Sequence, residues 1–401
     1  MPLLTPFTSL CLVGFLARFS YALARSPVLP LFALYLGAGP EAIGVIVGIS
    51  TVTGIFFKLP AGALSDHLGR NRTLLAGLVV FAVIPFAYLL VKDYQLLLVI
   101  RFLHGFATAI YGPVAMAVVM DAAGARKGEM LSWFSSVTIM GNLAGAPVGG
   151  FILYHFAASR TTGLGSFQTV FLISGVAGVL ALGLALTALE REKPQERGRS
   201  LRELWTRFAS GIKEVLSDRR VVVTSSMEGL QNMTMGALEA FLPIYAVTVA
   251  GLNEFQAGLL WGVQILVTIL SKPLMGRTSD RYGRRPLVVA GLVLCAVSFG
   301  AIPLFTSFGL LLIAALVFGL GEALVTSSSA ALVADICHAK NYGAAMGTFG
   351  TIFDVGHAAG PIAAGLLLAR MDYGPAFWIM GAVLIAAIPV FLMSVKHEAP
   401  V

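Results

Sequence analysis

The sequence contains few charged residues for its length. Only 12% of the 401 residues are Asp, Glu, Lys or Arg, whereas 57% are hydrophobic. A soluble domain carries about 25% charged residues, so this chain has too little polar surface to coat a globule of its size. The scarcity argues against an ordinary soluble protein and indicates that a bilayer solvates much of the chain.

Motifs for nucleotide binding, hydrolysis and disulfide or zinc frameworks are also missing. The sequence has no G-x-x-x-x-G-K-[ST], no Gly-Lys pair, no G-x-S-x-G and no H-E-x-x-H. Its three cysteines, Cys11, Cys295 and Cys337, have no CxxC spacing, and we expect them to pack as small apolar groups. These absences argue against ATP hydrolysis as an energy source and predict no cofactor and no bound metal. An intramembrane enzyme is the alternative from a different functional class.

Long apolar runs dominate the sequence instead. A helix that crosses ~30 Å of hydrocarbon needs about 20 mostly apolar residues. Stretches of that kind occur near 7–36, 39–62, 73–91, 95–121, 131–157, 167–189, 221–249, 254–278, 286–306, 308–334, 342–369 and 373–395. We therefore predict an all-α integral membrane protein with twelve transmembrane helices, in which 7–36 is a retained first helix.

Basic residues are concentrated in alternate connections between these runs. Of the 27 Lys and Arg, 19 lie in the even-numbered connections and the C-terminal tail, and only Lys92, Arg160 and Arg370 lie in the opposite ones. This asymmetry is the positive-inside pattern. It predicts that both termini are cytoplasmic, and it explains the net charge of +7 without nucleic-acid binding. The compact connections favour a cell inner (plasma) membrane.

The two halves of the sequence repeat each other. A polar linker, 190–220, separates a predicted N-terminal six-helix bundle, 1–189, from a C-terminal one, 221–401. An offset of 214 residues aligns Gly37 with Gly251 and Gly105 with Gly319. Like-oriented repeats of this kind typically place a site near the membrane midplane and rock around it. The organisation indicates a carrier.

One polar motif occurs in both halves, as GALSDHLGRNR at 62–72 and GRTSDRYGRRP at 276–286. We expect its second glycine to allow a tight turn between helices and its aspartate to accept hydrogen bonds from a helix N-terminus. We expect its arginine to pair with Asp121 or Asp335, forming a cytoplasmic latch that can open during transport. A basic turn that serves topology alone is the alternative. The motif residues are Gly62, Asp66, Gly69 and Arg70, which recur as Gly276, Asp280, Gly283 and Arg284.

These motifs resemble those of the major facilitator superfamily. Gly62, Leu64, Ser65, Asp66, Gly69 and Arg70 follow its G-x-L-A-D-x-x-G-R-[KR] signature, with Asn71 replacing the last basic residue. The segment RFLHGFATAIYGP, 101–113, is similar to the family's R-x-x-x-G segment, and the resemblance gives Arg101 a role in proton coupling. GNLAGAPVGG, 141–150, resembles the fifth-helix motif of the drug–proton antiporter branch, with Gly-Ala-Pro in place of Gly-Pro.

The fifth span has a physical feature of its own. Gly141, Gly145 and Gly149 recur every four residues and form a smooth face for close helix approach, and Pro147 removes a backbone hydrogen bond and favours a bend. Gly360 and Pro361 repeat the arrangement in the eleventh span. We interpret these residues as a flexing gate, with packing alone as the alternative.

Ionisable residues inside the spans carry the main functional hypothesis, because each is costly there unless it faces a cavity or a partner. Arg18 and Arg25 are seven residues apart, or two helical turns, so they share a face of the first helix, and Glu228 and Glu239 share a face of the seventh. Arg25 aligns with Glu239 at the 214-residue offset, so we expect these charges to face one another across a central cavity. The full set is Arg18, Arg25, Lys58, Arg101, Lys272, Glu228, Glu239, Glu322 and Asp354.

Burial favours the neutral form of a carboxylate, so an acid in the cavity could gain and lose a proton during transport. The candidates for proton coupling are Glu239, then Asp354, then Glu322. The candidates for substrate binding are Arg18, Arg25, Tyr21, Glu228, Asn232, Tyr245, Trp261 and Phe353. Static ion pairs are the alternative, and a metal-transport site formed by His104, Glu322, Asp354 and His357 is another.

The sequence thus predicts a monomeric carrier that exchanges protons for a small amphiphilic compound and exports it by alternating access. The alternative is transport of an organic anion or amphiphilic acid, by symport or exchange, which Arg18 and Arg25 would favour.

Overall fold

The computed structural model describes residues 6–123, 126–157, 163–189, 218–337 and 342–395. Its elements in the described residues are helices, with 3₁₀ turns at Tyr88–Leu90 and Ile302–Leu304. The helices are α1 (Pro6–Leu23), α2 (Val28–Tyr35), α3 (Pro40–Leu68), α4 (Arg70–Ala87), α5 (Tyr94–Ala122), α6 (Lys127–His155), α7 (Leu164–Ala188), α8 (Arg219–Thr248), α9 (Glu254–Tyr282), α10 (Arg284–Ala301), α11 (Phe308–Ile336), α12 (Tyr342–Leu368) and α13 (Tyr373–Ser394).

Eleven helical segments of the described chain are long and apolar enough to cross a membrane, and the first of them combines α1 and α2 as Phe7–Tyr35. The remaining long helix, α8, has 30 residues and corresponds to the predicted seventh span. It is less apolar because it buries Glu228, Gln231, Asn232 and Glu239. The prediction of an all-α membrane protein with this helix order is confirmed.

The expectation of one unbroken helix over 7–36 was wrong. The chain leaves the helix after Leu23 and re-enters it at Val28. Pro27 has no amide hydrogen to donate, and its ring disfavours a helical conformation at the preceding Ser26. Arg25 lies in this break, so its predicted common face with Arg18 does not follow from helical periodicity.

The second glycine of each repeated motif forms the predicted tight turn, but the helices before it extend further than the predicted spans. Helix α3 continues to Leu68 and α9 continues to Tyr282, so most of each motif is helical. The reversal falls on single glycines, Gly69 with φ of 97° and Gly283 with φ of 92°. A side chain rarely tolerates such backbone angles, which explains glycine at both positions.

The repeat is visible in the helix bounds. Helices α3 and α9 each have 29 residues, α4 and α10 each have 18, and α5 and α11 each have 29. The members of each pair begin 214 residues apart. The sequence offset therefore corresponds to two similar sets of helices.

The described helices form two compact units. Unit 1 contains α1, α2, most of α3, α4–α7 and the first residues of α9. Unit 2 contains the start of α3, α8, the rest of α9 and α10–α13. The predicted linker, 190–220, lies outside the described residues except for its last three, in which Asp218 caps the start of α8. The predicted domain boundaries stay a prediction.

Glycines let helices touch within each unit. In unit 1, a methyl group added at Gly145 of α6 would lie 2.5 Å from the Ala22 Cβ of α1, and one added at Gly141 would lie 2.5 Å from the Phe15 carbonyl oxygen. Both distances are shorter than van der Waals contact. The predicted smooth face of α6 is therefore packed against α1, and α6 continues through Pro147.

Candidate functional site

The motif arginines form the ion pairs that the sequence predicts. In unit 1, Arg70 Nη1 lies 2.5 Å from Asp121 Oδ2, and in unit 2, Arg284 Nε donates to Asp335 Oδ2 at 3.1 Å. Both aspartates are more than half exposed, and such pairs contribute about 0–1 kcal/mol. Each pair joins two helices of the same unit and therefore stabilises that unit.

The motif aspartates Asp66 and Asp280 were expected to accept hydrogen bonds at a helix N-terminus. Asp280 forms an ion pair with Arg284, and it makes no hydrogen bond to a backbone amide of the described residues. The expected cap at the start of the next helix is therefore wrong for Asp280. The side chain of Asp66 lies outside the described residues.

Unit 1 buries a basic and aromatic cluster. Arg101 of α5 is fully buried, and its guanidinium lies 5.1 Å from the centroid of the Tyr21 ring. It also interacts electrostatically with Tyr88, whose hydroxyl lies 3.0 Å from His104 Nδ1. Tyr21 packs edge-on against His104 and donates to Ser50 Oγ at 3.3 Å. These aromatic faces and hydroxyls stabilise a buried cation.

The other two arginines of unit 1 lie near the same tyrosine. The Arg25 guanidinium is 5.7 Å from the Tyr21 ring centroid. Arg18 interacts electrostatically with Tyr21 and with Tyr111. Three predicted arginines thus surround the predicted Tyr21, and such a concentration of positive charge can attract an anionic group.

Unit 2 contains a buried carboxylate–imidazole pair. Glu239 Oε2 of α8 lies 3.0 Å from His357 Nε2 of α12, and the two side chains are 2% and 10% exposed. The ring of Phe353 stacks on His357 with centroids 6.3 Å apart. A carboxylate and an imidazole this close can share a proton. The sequence singled out Glu239 and Phe353, but it did not identify His357 as the partner of Glu239.

A second carboxylate of α8 has its own hydrogen bonds. Glu228 is fully buried, and its Oε1 accepts from Asn232 Nδ2 at 3.2 Å and from Thr326 Oγ1 of α11 at 3.0 Å. Glu228 and Asn232 were predicted together, whereas Thr326 was missed. Thr326 and Glu228 lie on different helices, so no spacing in the sequence could show their contact.

A third carboxylate, Glu322 of α11, faces α9. Its Oε2 accepts from Thr268 Oγ1 at 3.0 Å and from Gln264 Nε2. Lys272 of the same helix acts electrostatically on both Glu322 and Glu228. Sequence reasoning missed Gln264 and Thr268, although Gln264, Thr268 and Lys272 follow one another at four-residue steps and mark a polar face in an apolar span.

The remaining predicted site residues of unit 2 are less central. Tyr245 donates its hydroxyl to the Phe305 carbonyl oxygen at 3.0 Å, which ties α8 to the end of a 3₁₀ turn. Trp261 is buried and Asp354 is half-buried. No three His, Cys, Asp or Glu side chains of the described residues are placed to hold a metal ion, so the metal-transport alternative gains no support.

A family model supports the resemblance seen in the motifs. The model described as "Major Facilitator Superfamily" matches residues 10–271 and, in a second match, 233–401. The chain belongs to this superfamily. It is therefore a secondary transporter and a multi-pass membrane protein, and the alternative of an intramembrane enzyme is excluded.

Relatives of this superfamily member are distant in sequence. An "Uncharacterized MFS-type transporter MJ1560" of Methanocaldococcus jannaschii is 24% identical over 91% of this chain and 89% of its own length. The "Multidrug transporter MdfA" of Yersinia pestis is 28% identical over 61% of this chain and 59% of its own length. The "Vesicular acetylcholine transporter" of Rattus norvegicus is 23% identical over 88% and 65%.

Solved structures of superfamily members share the fold. The nucleoside transporter NupG superposes with a TM-score of 0.78 over 98% of this chain and 100% of its own, at 14% identity. A bacterial homolog of the human lysosomal transporter Spinster gives a TM-score of 0.77 over 97% and 94%, also at 14% identity. At such identity the likeness concerns the fold alone.

Proposed function

We propose that this transporter is a proton-coupled antiporter that exports small amphiphilic organic compounds by alternating access, in a cell inner membrane with both termini cytoplasmic. The observation that carries the proposal is the buried pair of Glu239 and His357, with atoms 3.0 Å apart. A carboxylate removed from water is stable only when it is protonated or paired. The pair can therefore hold one proton in a closed site and release it when the site is hydrated.

The structure of unit 2 suggests how such a proton could be linked to helix movement. Helices α8 and α12 touch at Gly236, because a methyl group there would collide with the His357 carbonyl oxygen and lie 2.9 Å from Pro361 Cδ. A small shift between the two helices would change the distance between Glu239 and His357. Proton release and conformational change would then be one event. Asp354, three residues before His357, and Glu322 are the further candidates.

Two of the relatives have names that point to an organic cargo. The relative named a multidrug transporter aligns with 61% of this chain. The vesicular acetylcholine transporter, which aligns with 88% of this chain, is named after an organic cation. Both support an organic cargo, and three buried carboxylates in unit 2 suit one with positive charge.

Transport of an organic anion is a second candidate, and one observation favours it. Arg18, Arg25 and Arg101 all lie around Tyr21 in unit 1. If anions are the cargo, Arg25→Ala should abolish their transport and leave transport of cationic dyes unchanged. The reverse outcome would exclude the anion carrier.

The proposed function can be tested in proteoliposomes that contain a pH-sensitive dye. Addition of cationic, anionic and neutral amphiphiles should show which of them drives proton movement. Glu239→Gln should still bind the active compound but no longer exchange it for protons. Glu129→Gln, an exposed change on α6, is the matched control and should behave like the native chain. Unimpaired proton exchange in Glu239→Gln would refute the assignment.

A further inference from the structure

Helix α8 carries a buried polar stripe that the proposed proton transfer does not use. Ser225, Glu228 and Asn232 follow helical spacing on one face, with Gln231 beside them, and all four are at most 1% exposed. Glu228 Oε2, Asn232 Oδ1 and both amide atoms of Gln231, Oε1 and Nε2, have no hydrogen-bond partner in the described residues. Buried acceptors without a donor are rare and costly in proteins. Their occurrence along one stripe indicates that donors from a ligand complete them.

Other groups of unit 2 converge on the same place. The Cys295 thiol of α10 contacts the Gln231 side chain and lies within electrostatic range of both Glu228 and Glu322. Gln264, which donates to Glu322, keeps its own Oε1 without a partner. Two carboxylates and several amide oxygens therefore surround one region, and this environment selects a positively charged ligand.

The side chain of Lys272 places an ammonium group near this region. It acts electrostatically on both Glu228 and Glu322. Within the described residues Lys272 forms no direct ion pair with either acid. The Lys272 ammonium thus partly offsets the two negative charges, but Glu228 Oε2 and Asn232 Oδ1 still have no hydrogen-bond partner in the described residues.

We propose that unit 2 contains a binding site for a protonated primary amine, in which Glu228 is the anionic acceptor and Asn232 and Gln231 supply neutral acceptors. A primary ammonium has three N–H donors, as many as the unpartnered acceptor atoms of Glu228, Asn232 and Gln231. A quaternary ammonium has no donor and would leave them unsatisfied, and an organic anion would be repelled by both carboxylates. The inference rests on the proposed export function and names its substrate class as amphiphilic primary amines.

The same geometry gives Lys272 a role as an internal competitor. Its ammonium has the chemistry of the ligand and is held near the site on the α9 helix. Removal of this charge should raise the affinity for a primary amine, since like charges in a poorly screened interior repel each other. A lysine that only supported the fold would not produce that gain.

The test uses the full chain purified in detergent and isothermal titration calorimetry with phenylbutylamine and its N,N,N-trimethyl analogue. At about pH 7 both ligands are positively charged, so only the N–H donors differ. The native chain should bind the primary amine at least about tenfold more tightly, as expected for a few unmade buried hydrogen bonds. Equal affinities, or no binding of either ligand, would overturn the proposal.

Variants separate the site from the proton pair. Asn232→Leu and Glu228→Gln should reduce the tenfold preference to less than about threefold. Lys272→Met should strengthen amine binding at least about threefold, whereas Lys127→Met, an exposed change, should not. If Glu228→Gln does not fold, Asn232→Leu and Lys272→Met decide the matter. An unchanged preference in Asn232→Leu refutes the site.

The proposed function and this site can fail separately. Glu239→Gln should abolish proton exchange and keep the preference for the primary amine. Loss of the preference with intact proton exchange in the native chain would refute the amine site alone. Retained preference without any proton exchange in the native chain would refute the antiporter alone.

Discussion

Substitution of Gly356 by alanine tests the contact that holds Glu239 and His357 together. At this position α12 crosses α8, and an added Cβ would collide with the carbonyl oxygen of Gly229. It would also lie 2.6 Å from the carbonyl carbon and 2.9 Å from the Cα of Gly229. Carbon atoms in contact are normally about 3.5–4.0 Å apart. The helices must therefore separate locally by about 1 Å.

A separation of that size has two consequences. Glu239 Oε2 and His357 Nε2, now 3.0 Å apart, would move to roughly 4 Å, beyond hydrogen-bonding distance. Overpacking costs about 1–3 kcal/mol of folding free energy, and a lost bond to a charged group costs about 1.5–3 kcal/mol. Gly356→Ala should therefore unfold at a lower temperature and exchange protons for substrate more slowly.

The same helix offers a matched control. Gly350 of α12 has open space within 4 Å of an added Cβ. Gly350→Ala should retain transport and be slightly stabilised, because alanine favours a helix over glycine by about 0.5–1 kcal/mol. Thermal unfolding in detergent and proton exchange in proteoliposomes measure both variants. If Gly356→Ala behaves like Gly350→Ala in both assays, the described crossing of α8 and α12 does not control the pair.

Three further predictions concern other parts of the chain. Thr326→Val should lower the free energy of unfolding by about 1.5–3 kcal/mol, because it removes the 3.0 Å hydrogen bond to Glu228; chemical denaturation measures this, and a change below about 0.5 kcal/mol would contradict it. Gly69→Ala should lower the free energy of unfolding by about 1–3 kcal/mol, because the φ of 97° at this position is strained for alanine. The control is Gly62→Ala in helix α3, where an added Cβ has its nearest neighbour at 3.9 Å, and it should be almost neutral in the same measurement. Arg284→Gln should lower stability by no more than about 1 kcal/mol and yet slow transport if the latch acts as a gate; a transport rate equal to the native one would leave the motif with a topological role alone.

The helical architecture was predictable because its signals are local. Apolar runs of sufficient length identify the spans, and the positions of Gly69 and Gly283 identify two reversals to the residue. The errors also have local causes. The second apolar span was predicted to end near residue 62, but Gly62 and Ser65 remain helical because α3 ends only at the positive φ of Gly69. The break at Pro27 was missed because the apolar run continues across it.

The candidate site was less predictable because its partners come from different helices. Charges such as Glu228, Glu239 and Glu322 are conspicuous in apolar spans, and the sequence identified all three. Their partners are the ordinary residues Thr326 and Gln264, which are recognisable only once α8, α9 and α11 are packed together. A residue of common type becomes significant through a contact, and contacts between helices leave no spacing in a single sequence.

The repeat separates residues that support the fold from residues that carry charge chemistry. Positions at the motif correspond across the 214-residue offset, including Arg70 with Arg284 and Asp121 with Asp335, and both pairs form the same ion pair. The buried charges are not repeated across this offset. The counterparts of Arg101, Glu228, Glu239 and Glu322 are, in that order, Ala315, Gly14, Arg25 and Thr108.

This difference follows from what each group must do. An ion pair at the end of a helix stabilises either unit in the same way, so both copies of the sequence can keep it. A proton or an ammonium group needs one acid with a particular set of partners, and a second copy in unit 1 would add another costly buried charge. The acids of unit 2 and the arginines of unit 1 are thus the positions at which two similar helix sets acquire different chemistry. Glu228→Gly, which introduces the residue of the corresponding position in unit 1, should lower the free energy of unfolding because it removes the hydrogen bond from Thr326, and it should abolish amine binding. Retained binding would show that the repeat asymmetry has no part in recognition.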